Sequence, residues 1–539
     1  MIEFNRDVEG FVSASGKKTI NGRGCEILLR GVGLGSWFLP EGYMWCFPDQ
    51  GDRPRRIEKM ILELIGSDKA GEFWRTYFDS FISEEDIRRI REEGFNSIRL
   101  PLSYRYLQRG SESLERVDKL IEWCREQSLY VILDLHGAPG GQTGTNIDDS
   151  EKDQPELFMD ESHARETVRL WRELALRYRD EWIVAGYDLL NEPLPEWFSD
   201  YNDKVMPLYR DIIRAIREVD TRHMIILEGV HWATDWSIFT ERLDDNLMLQ
   251  FHKYWNSPDR ESLKPYLEKR EELDVPIFMG EGGENNCDWY SGAFQLFEDL
   301  DISWNFWTWK KMERDNSPCS IVKPENWDCL VTYLEGGEKP DRELAETVLW
   351  GFLSSLPIDK CLYRRSVVWS LLRRPPVRIP AVFYSNCGPA KAYSIHKNLR
   401  QQAIGFRDSE AVPIGFTSGK RNSVDFNHSG GEPWGEDDWM YIRLDEKDWI
   451  LYDFLADSPL EMNDFEFVLK IRGVEETASI KLSIESPLLE AVCTASDDWT
   501  EVKVPLVFRL ERGRCKIKLT ACDNPVQIER ISIIPVKGE

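Results

Sequence analysis

Tyr187-Asp-Leu-Leu-Asn-Glu-Pro193 sets the reading of the whole chain. Tyr187, Leu189 and Leu190 read as a short buried strand, and Pro193 stops it, because proline has no N–H to give to a sheet ladder. An amide, Asn191, and a carboxylate, Glu192, are thereby left at the carboxyl end of a buried strand, where parallel α/β folds carry their chemistry. Val275-Pro-Ile-Phe-Met-Gly-Glu281 repeats the same grammar and ends in Glu281. The expectation is that folding brings Glu192 and Glu281 face to face.

Outward from that stretch, short apolar runs recur between amphipathic, charged segments from about residue 19 to 350. They place strands near 27–33, 96–100, 130–135, 186–190, 224–228, 247–251, 276–280 and 303–307. Between them lie helical patterns such as Ser83-Glu-Glu-Asp-Ile-Arg-Arg-Ile, with a serine cap and an acidic first turn, and others near 117–124, 164–179 and 205–219. Strand–helix alternation of this kind predicts an α/β fold, a (β/α)8 TIM barrel with enlarged loops. A doubly wound sheet is the rival, but no Gly-x-Gly-x-x-Gly follows an early strand. The barrel is expected to fill residues 1–372, closing with a helix over 342–353. Arg373-Arg-Pro-Pro-Val-Arg-Ile-Pro380 breaks the pattern, so 373–394 reads as a linker. From 395 to 539, runs such as Phe465-Glu-Phe-Val-Leu-Lys-Ile alternate with period two, predicting an antiparallel, jelly-roll-like β-sandwich.

Composition narrows the function. The 539 residues carry a net charge of −27, which argues against nucleic acid or anionic membrane as partner, since both are bound through basic patches. Twenty-one tryptophans in an acidic chain suit stacking against sugar C–H faces. The 11 cysteines are scattered without Cys-x-x-Cys pairs, so no zinc site is expected. Met1-Ile-Glu-Phe-Asn-Arg has no basic start before an apolar core, and no window matches a membrane span. Reduced thiols and a cytoplasmic location follow as expectations. A leader removed beforehand would reverse the latter.

The predicted strand ends collect polar and aromatic side chains: Arg99 after the second strand and His136 after the third. Asn191 and Glu192 follow the fourth, His252 and Tyr254 the sixth, Glu281 the seventh and Trp307 the eighth. Each alone has a structural explanation, a satisfied core histidine or an ion pair at the barrel floor. Carboxylates at a barrel end are costly to desolvate without a partner or a purpose, and so many groups aimed at one mouth point to a site. Two carboxylates there suit glycosidic bond cleavage, one held protonated to donate to the leaving oxygen and one ionised to attack or to activate water. Metal chemistry uses similar residues, but no His-x-x-x-His or Asp-x-Asp cluster is present.

These residues resemble glycoside hydrolase family 5, in the retaining (β/α)8 clan A, and most of all its exo-β-1,3-glucanase-like branch. The pieces are Arg30-Gly-Val-Gly-Leu-Gly-Ser-Trp-Phe-Leu-Pro-Glu41, Phe95-Asn-Ser-Ile-Arg-Leu-Pro-Leu, Asp134-Leu-His-Gly-Ala-Pro-Gly-Gly-Gln142, Leu189-Leu-Asn-Glu-Pro-Leu, Phe251-His-Lys-Tyr254, Gly280-Glu281 and Phe306-Trp-Thr-Trp-Lys310. The resemblance implies Glu192 as general acid/base and Glu281 as nucleophile. It further implies Asn191 on the sugar 2-OH, Arg99 and Tyr254 beside Glu281, and His136 and His252 on the same sugar. Trp307 becomes its stacking floor, with Trp309 also a substrate-binding candidate, and Glu41 reaches the outer hydroxyls of an exo-acting pocket. After the nucleophile the chain departs from the branch's Gly-Glu-Trp, reading Gly280-Glu-Gly-Gly-Glu-Asn, and Gly229-Val-His-Trp-Ala-Thr-Asp-Trp236 is also its own. Both departures are expected on the leaving-group side, with Trp232, Trp236 and Trp289 as stacking candidates.

The C-terminal part resembles a carbohydrate-binding module of family 6 or 35, through Tyr441-Ile-Arg-Leu-Asp-Glu-Lys-Asp-Trp-Ile-Leu-Tyr452 and Gln527-Ile-Glu-Arg-Ile-Ser-Ile-Ile. Glu432-Pro-Trp-Gly-Glu-Asp-Asp-Trp439 could stack a sugar, but packing on the barrel or bordering its mouth fits this chain better. Together these observations predict a retaining β-glycosidase that needs no cofactor and trims β-glucosides or short β-linked oligosaccharides from the non-reducing end. Two alternatives stand: an endo-acting or glycolipid-cleaving member of the family, and a non-catalytic sugar-binding protein on a decayed barrel. The oligomeric state is not legible.

Overall fold

A computed structural model describes residues 8–107, 110–397, 402–461, 464–474, 476–485 and 488–536. The first six residues, read above for an export signal, lie outside the described residues. Eight parallel strands close a barrel: β1 (Arg30–Gly33), β2 (Ser97–Ser103), β3 (Tyr130–Gly137), β4 (Val184–Asp188), β5 (Met224–Glu228), β6 (Leu247–Lys253), β7 (Ile277–Gly283) and β8 (Ser303–Trp307). Each pairs with its sequence neighbours, and β8 closes on β1 with Trp304 opposite Arg30. All eight correspond to apolar runs of the sequence. Strands buried on both faces read as continuous apolar stretches for that reason.

The helical layer follows its sequence signals. The helix Glu84–Glu92 starts at Ser83, whose backbone N–H donates to Asp86 Oδ2 at 3.0 Å. The helices Glu161–Tyr178 and Val205–Arg217 each bury one apolar face on the barrel and present charges outward. No helix of the described residues is long and apolar enough to cross a membrane. All 11 cysteines are free thiols.

The C-terminal part forms two antiparallel sheets, six- and five-stranded among the described residues, packed as a β-sandwich. In Phe465–Gly473 alternate residues Phe467, Leu469 and Ile471 are buried, the period two read from the sequence. Phe467 meets Phe454 of the opposite sheet edge-on, with centroids 5.9 Å apart. The stretch expected as a linker is instead built into both units. Val377–Pro380 pairs with Val526–Pro535, and the buried Arg373 guanidinium donates to the carbonyls of Ser291, Phe383 and Asp453. Proline-rich sequence reads as a break in helix or strand; here it turns the chain directly from the last helix, Arg365–Leu372, into the sandwich.

Candidate active site

β2 carries the hub. Arg99 is fully buried at the barrel axis and reaches four strands at once. Its Nε donates to Asp188 Oδ2 at 2.8 Å, and Nη2 donates to Asn191 Oδ1 at 2.8 Å and Glu228 Oε1 at 3.0 Å. Nη2 also lies 3.1 Å from Asp134 Oδ2, and Nη1 donates to Glu281 Oε1. Burial opposes the guanidinium charge, and the carboxylates of Asp134, Asp188, Glu281 and Glu228 more than offset it, holding the group firmly protonated.

Around that hub stand the two glutamates. Glu192, on β4's exit, has φ +43°, the left-handed region that non-glycine residues rarely adopt. Its backbone N–H donates to Glu228 Oε2 at 2.7 Å, which fixes the turn and points the side chain into the mouth. Glu281, two residues before the end of β7, accepts from Arg99 and, at 2.8 Å, from the Tyr254 hydroxyl. His252 sits between them, with Nδ1 2.6 Å from Glu192 Oε1 and 3.5 Å from Glu281 Oε2. Ligand atoms of Glu192, His252 and Glu281 all lie within 4.8 Å of one another.

Electrostatics pull the pair apart. Burial raises the proton affinity of Glu192, which the His252 charge only partly offsets. Burial would raise Glu281 too, but the charges of His252, Arg99 and His136 and the Tyr254 hydrogen bond outweigh it and hold Glu281 below the ordinary carboxylate range. Burial would likewise discharge His252, and Glu228, Glu281 and Glu192 overcome it, holding the imidazole protonated. The same three groups could gather around a cation, and that proton competes for the place.

The remaining predicted residues divide. His136 hands Nδ1 to Asp134 Oδ2 at 2.8 Å and stacks on Trp307, rings 5° from parallel and 5.5 Å apart. Asn191 Nδ2 lies 3.5 Å from His136 Nε2. Trp307 explains two glycines of the first motif. A Cβ on Gly33 or Gly35 would come within 2.7 Å of the indole, so only glycine lets β1 run against that ring. Glu41 is buried in the same neighbourhood, its charge opposed first by burial and then by Glu281 and Glu284.

Three sequence expectations are corrected. Trp309 is fully buried and donates Nε1 to Asp86 of the Glu84–Glu92 helix at 3.0 Å, behind the barrel wall. Trp236 donates to the Gln250 carbonyl at 3.1 Å amid Phe239, Phe251 and Tyr266. Trp289 is fully buried and donates to the Asn256 carbonyl at 3.0 Å. All three rings are buried and spend their N–H on groups of the fold, so none offers an open face to a sugar. In the segment after β7, Glu284 pairs with Lys311 at 2.8 Å. Trp232 remains part-exposed, edge-on to the exposed Trp197 at 5.9 Å. In the sandwich loop, Trp434 is buried against Phe383, Phe426 and Trp439, so the loop packs rather than presents an open ring.

Sequence reasoning passed over Asp188, Glu228 and Gln250. Glu228 had a signal, being the carboxylate that ends the predicted strand 224–228 just as Glu281 ends its own. Gln250 donates to Asp188 at 3.0 Å and to Glu228, one turn of the pleat below His252.

Known proteins place this barrel. Residues 62–313 match the family model Cellulase (glycosyl hydrolase family 5). A beta-xylosidase of Phanerodontia chrysosporium is 30% identical over 253 residues, 45% of this chain and 52% of the relative. Endoglucanase C of Acetivibrio thermocellus is 25% identical over 310 residues, 45% of this chain and 88% of the relative. A probable glucan 1,3-beta-glucosidase A of Aspergillus clavatus is 28% identical over 238 residues, 42% and 55% respectively. The match thus spans about half the length of the first and third of these relatives. The stretch that matches the glycosyl hydrolase family 5 model, residues 62–313, carries Arg99, Glu192, His252 and Glu281.

Proposed function

We propose that the chain is a retaining β-glycosidase that hydrolyses β-glucosides or short β-linked oligosaccharides from the non-reducing end. The observation that carries the reading is the spacing and opposite tuning of Glu192 and Glu281. Carboxyls about 5–5.5 Å apart suit double displacement, while inverting pairs stand about 6.5–9.5 Å apart to admit a water. One oxygen of each carboxyl lies within 4.8 Å of the other, which favours the short, retaining separation. Glu192 protonates the departing oxygen while Glu281 bonds to the anomeric carbon and the C1–O bond breaks. Water deprotonated by Glu192 then releases the sugar from Glu281. In this reading the sugar lies on Trp307, which His136 stacks against, and Asn191, held by Arg99, binds the hydroxyl beside the reacting carbon; the stack and that hydrogen bond support it.

The relatives' names, a beta-xylosidase and a glucan 1,3-beta-glucosidase, support a small β-linked glycone. The endoglucanase likeness favours a second reading, internal cleavage of a β-glucan. Release of nitrophenol from aryl β-glucoside, galactoside, mannoside, xyloside and fucoside, beside product analysis on β-glucan, separates the two. The proposal expects one monosaccharide to dominate and 2,4-dinitrophenyl 2-deoxy-2-fluoro-β-glucoside to label Glu281. Inert monosaccharides with mid-chain products would replace it with the endo reading, and sugar binding without any cleavage would overturn both.

A further inference from the structure

Lys310 and Lys311 are neighbours on the short strand Lys310–Met312 and point to opposite faces. Lys310 enters the helical layer, donating to the carbonyls of Phe81 at 2.6 Å and Leu356 at 3.0 Å and pairing with Asp86 at 2.9 Å. Lys311 turns to the mouth. Its Nζ lies 2.8 Å from Glu284 Oε1 and 5.9 Å from the centre of the Tyr43 ring, and the residue is only 2% exposed. An ammonium has three N–H donors. Among the described residues Lys311 makes one hydrogen bond, to Glu284. Beside it, Glu41 is 2% exposed and its Oε1 is buried without a hydrogen-bond partner. Buried donors and acceptors left unspent are costly, and a ligand that pairs with them recovers that cost.

These groups stand at one edge of the Trp307 floor. The Trp307 Nε1–H donates to the Tyr43 hydroxyl at 2.9 Å, and Tyr43 in turn meets Lys311. The Glu284 turn is held from outside. Its carbonyl accepts from Trp255 Nε1 at 2.9 Å, and the next two residues, Asn285 and Asn286, donate to the carbonyls of Phe426 at 2.6 Å and Glu432 at 2.8 Å in the C-terminal part. Lys311 is therefore a rigid group, not a mobile surface lysine.

We propose that Lys311, oriented by Glu284, is a specificity-determining residue that works with Glu41 to bind the hydroxyls at C4 and C6 of a neutral hexopyranose lying on Trp307. This rests on the glycosidase reading above, in which C1 meets Glu281; C4 and C6 are then the positions farthest from the bond that breaks. The Lys311 ammonium, its charge already met by Glu284, donates to neutral hydroxyl oxygens, and with the Glu41 carboxyl beside it the pair disfavours an anionic C6, so a uronic acid is rejected. A pentose, lacking C6, leaves Lys311 partly unpaired.

The test compares kcat/KM for an aryl β-glucoside and its 4-deoxy, 6-deoxy and glucuronide counterparts in the full chain, Lys311→Met and Glu284→Gln. The native protein is expected to lose about ten- to a hundredfold on removal of either hydroxyl, the usual effect of leaving a built polar site unpaired. In Lys311→Met the parent glucoside falls toward the deoxy values and the discrimination shrinks to about threefold or less. Glu284→Gln, which keeps the shape of the turn, shrinks it in the same direction and serves if Lys311→Met does not fold. Equal deoxy penalties in native and variant proteins, or none in the native protein, overturn the assignment. Should the parent glucoside not be hydrolysed, the glycosidase reading fails by itself; calorimetric titration with methyl β-glucoside and its deoxy forms still decides whether Lys311 reads these hydroxyls.

Discussion

Glu192 and Glu281 present carboxylate oxygens within 4.8 Å of each other, and one protonated imidazole, His252, touches both. That contact keeps two acids in one buried mouth without mutual expulsion, and it leaves one of them able to hold a proton while the other stays charged.

Replacing either acid separates their roles. Glu281→Gln is expected to abolish turnover of every glycoside. Glu192→Gln is expected to cost roughly 10²–10⁴-fold on poor leaving groups. With dinitrophenol, which departs without protonation, the glycosylation step of Glu192→Gln recovers. Pre-steady-state release of dinitrophenol reads this; equal defects on good and poor leaving groups would refute the acid assignment.

The pH profile follows from the directions of the two shifts. Glu281, lowered, must be ionised, so activity rises with pH through a limb below the ordinary carboxylate range. Glu192, raised by burial, must be protonated, so activity falls through a limb above that range. Tyr254→Phe removes a hydrogen bond to the Glu281 carboxylate and is expected to move the acid limb upward while leaving the alkaline limb in place. A kcat/KM profile against pH for both proteins checks it.

The tryptophans sort by what they touch. Trp236→Ala and Trp289→Ala empty core space and are expected to cost about 3–5 kcal/mol of stability. Trp232→Ala is expected to leave the melting temperature nearly unchanged and to raise KM several-fold for glycosides with large leaving groups. Thermal melts and a leaving-group series distinguish the three.

Stability at acid pH depends on Glu298. Burial would raise its carboxyl, but Arg30, Arg514 and the Trp304 N–H hold it down at about 2, against 4.5 as its ordinary value. The depressed carboxyl contributes stability that is full above the ordinary value and lost as pH falls toward 2, on the order of 3 kcal/mol at neutrality. Because Arg30 lies on β1 and Arg514 in the sandwich, the loss is felt by both parts of the chain. Glu298→Gln is expected to destabilise at pH 7 and to match the native protein near pH 2 in denaturant titrations.

By itself the sequence determined the barrel and most of its mouth. Eight apolar runs, each buried on two faces, admit few other folds, and a strand's end is visible wherever an apolar run meets Asn191, Glu192 or Glu281. The period-two alternation of Phe465–Gly473 announced the second fold in the same way. Only tertiary structure decided which tryptophans face the mouth, since a loop has no period to tell Trp232 from Trp236. It also decided that 373–394 is built into the sandwich, that Glu228 holds the backbone of Glu192, and that Lys311 faces Glu284 while Lys310 faces Asp86. Those facts arise from contacts between segments far apart in the chain, and local pattern carries no record of which distant surface a side chain will meet.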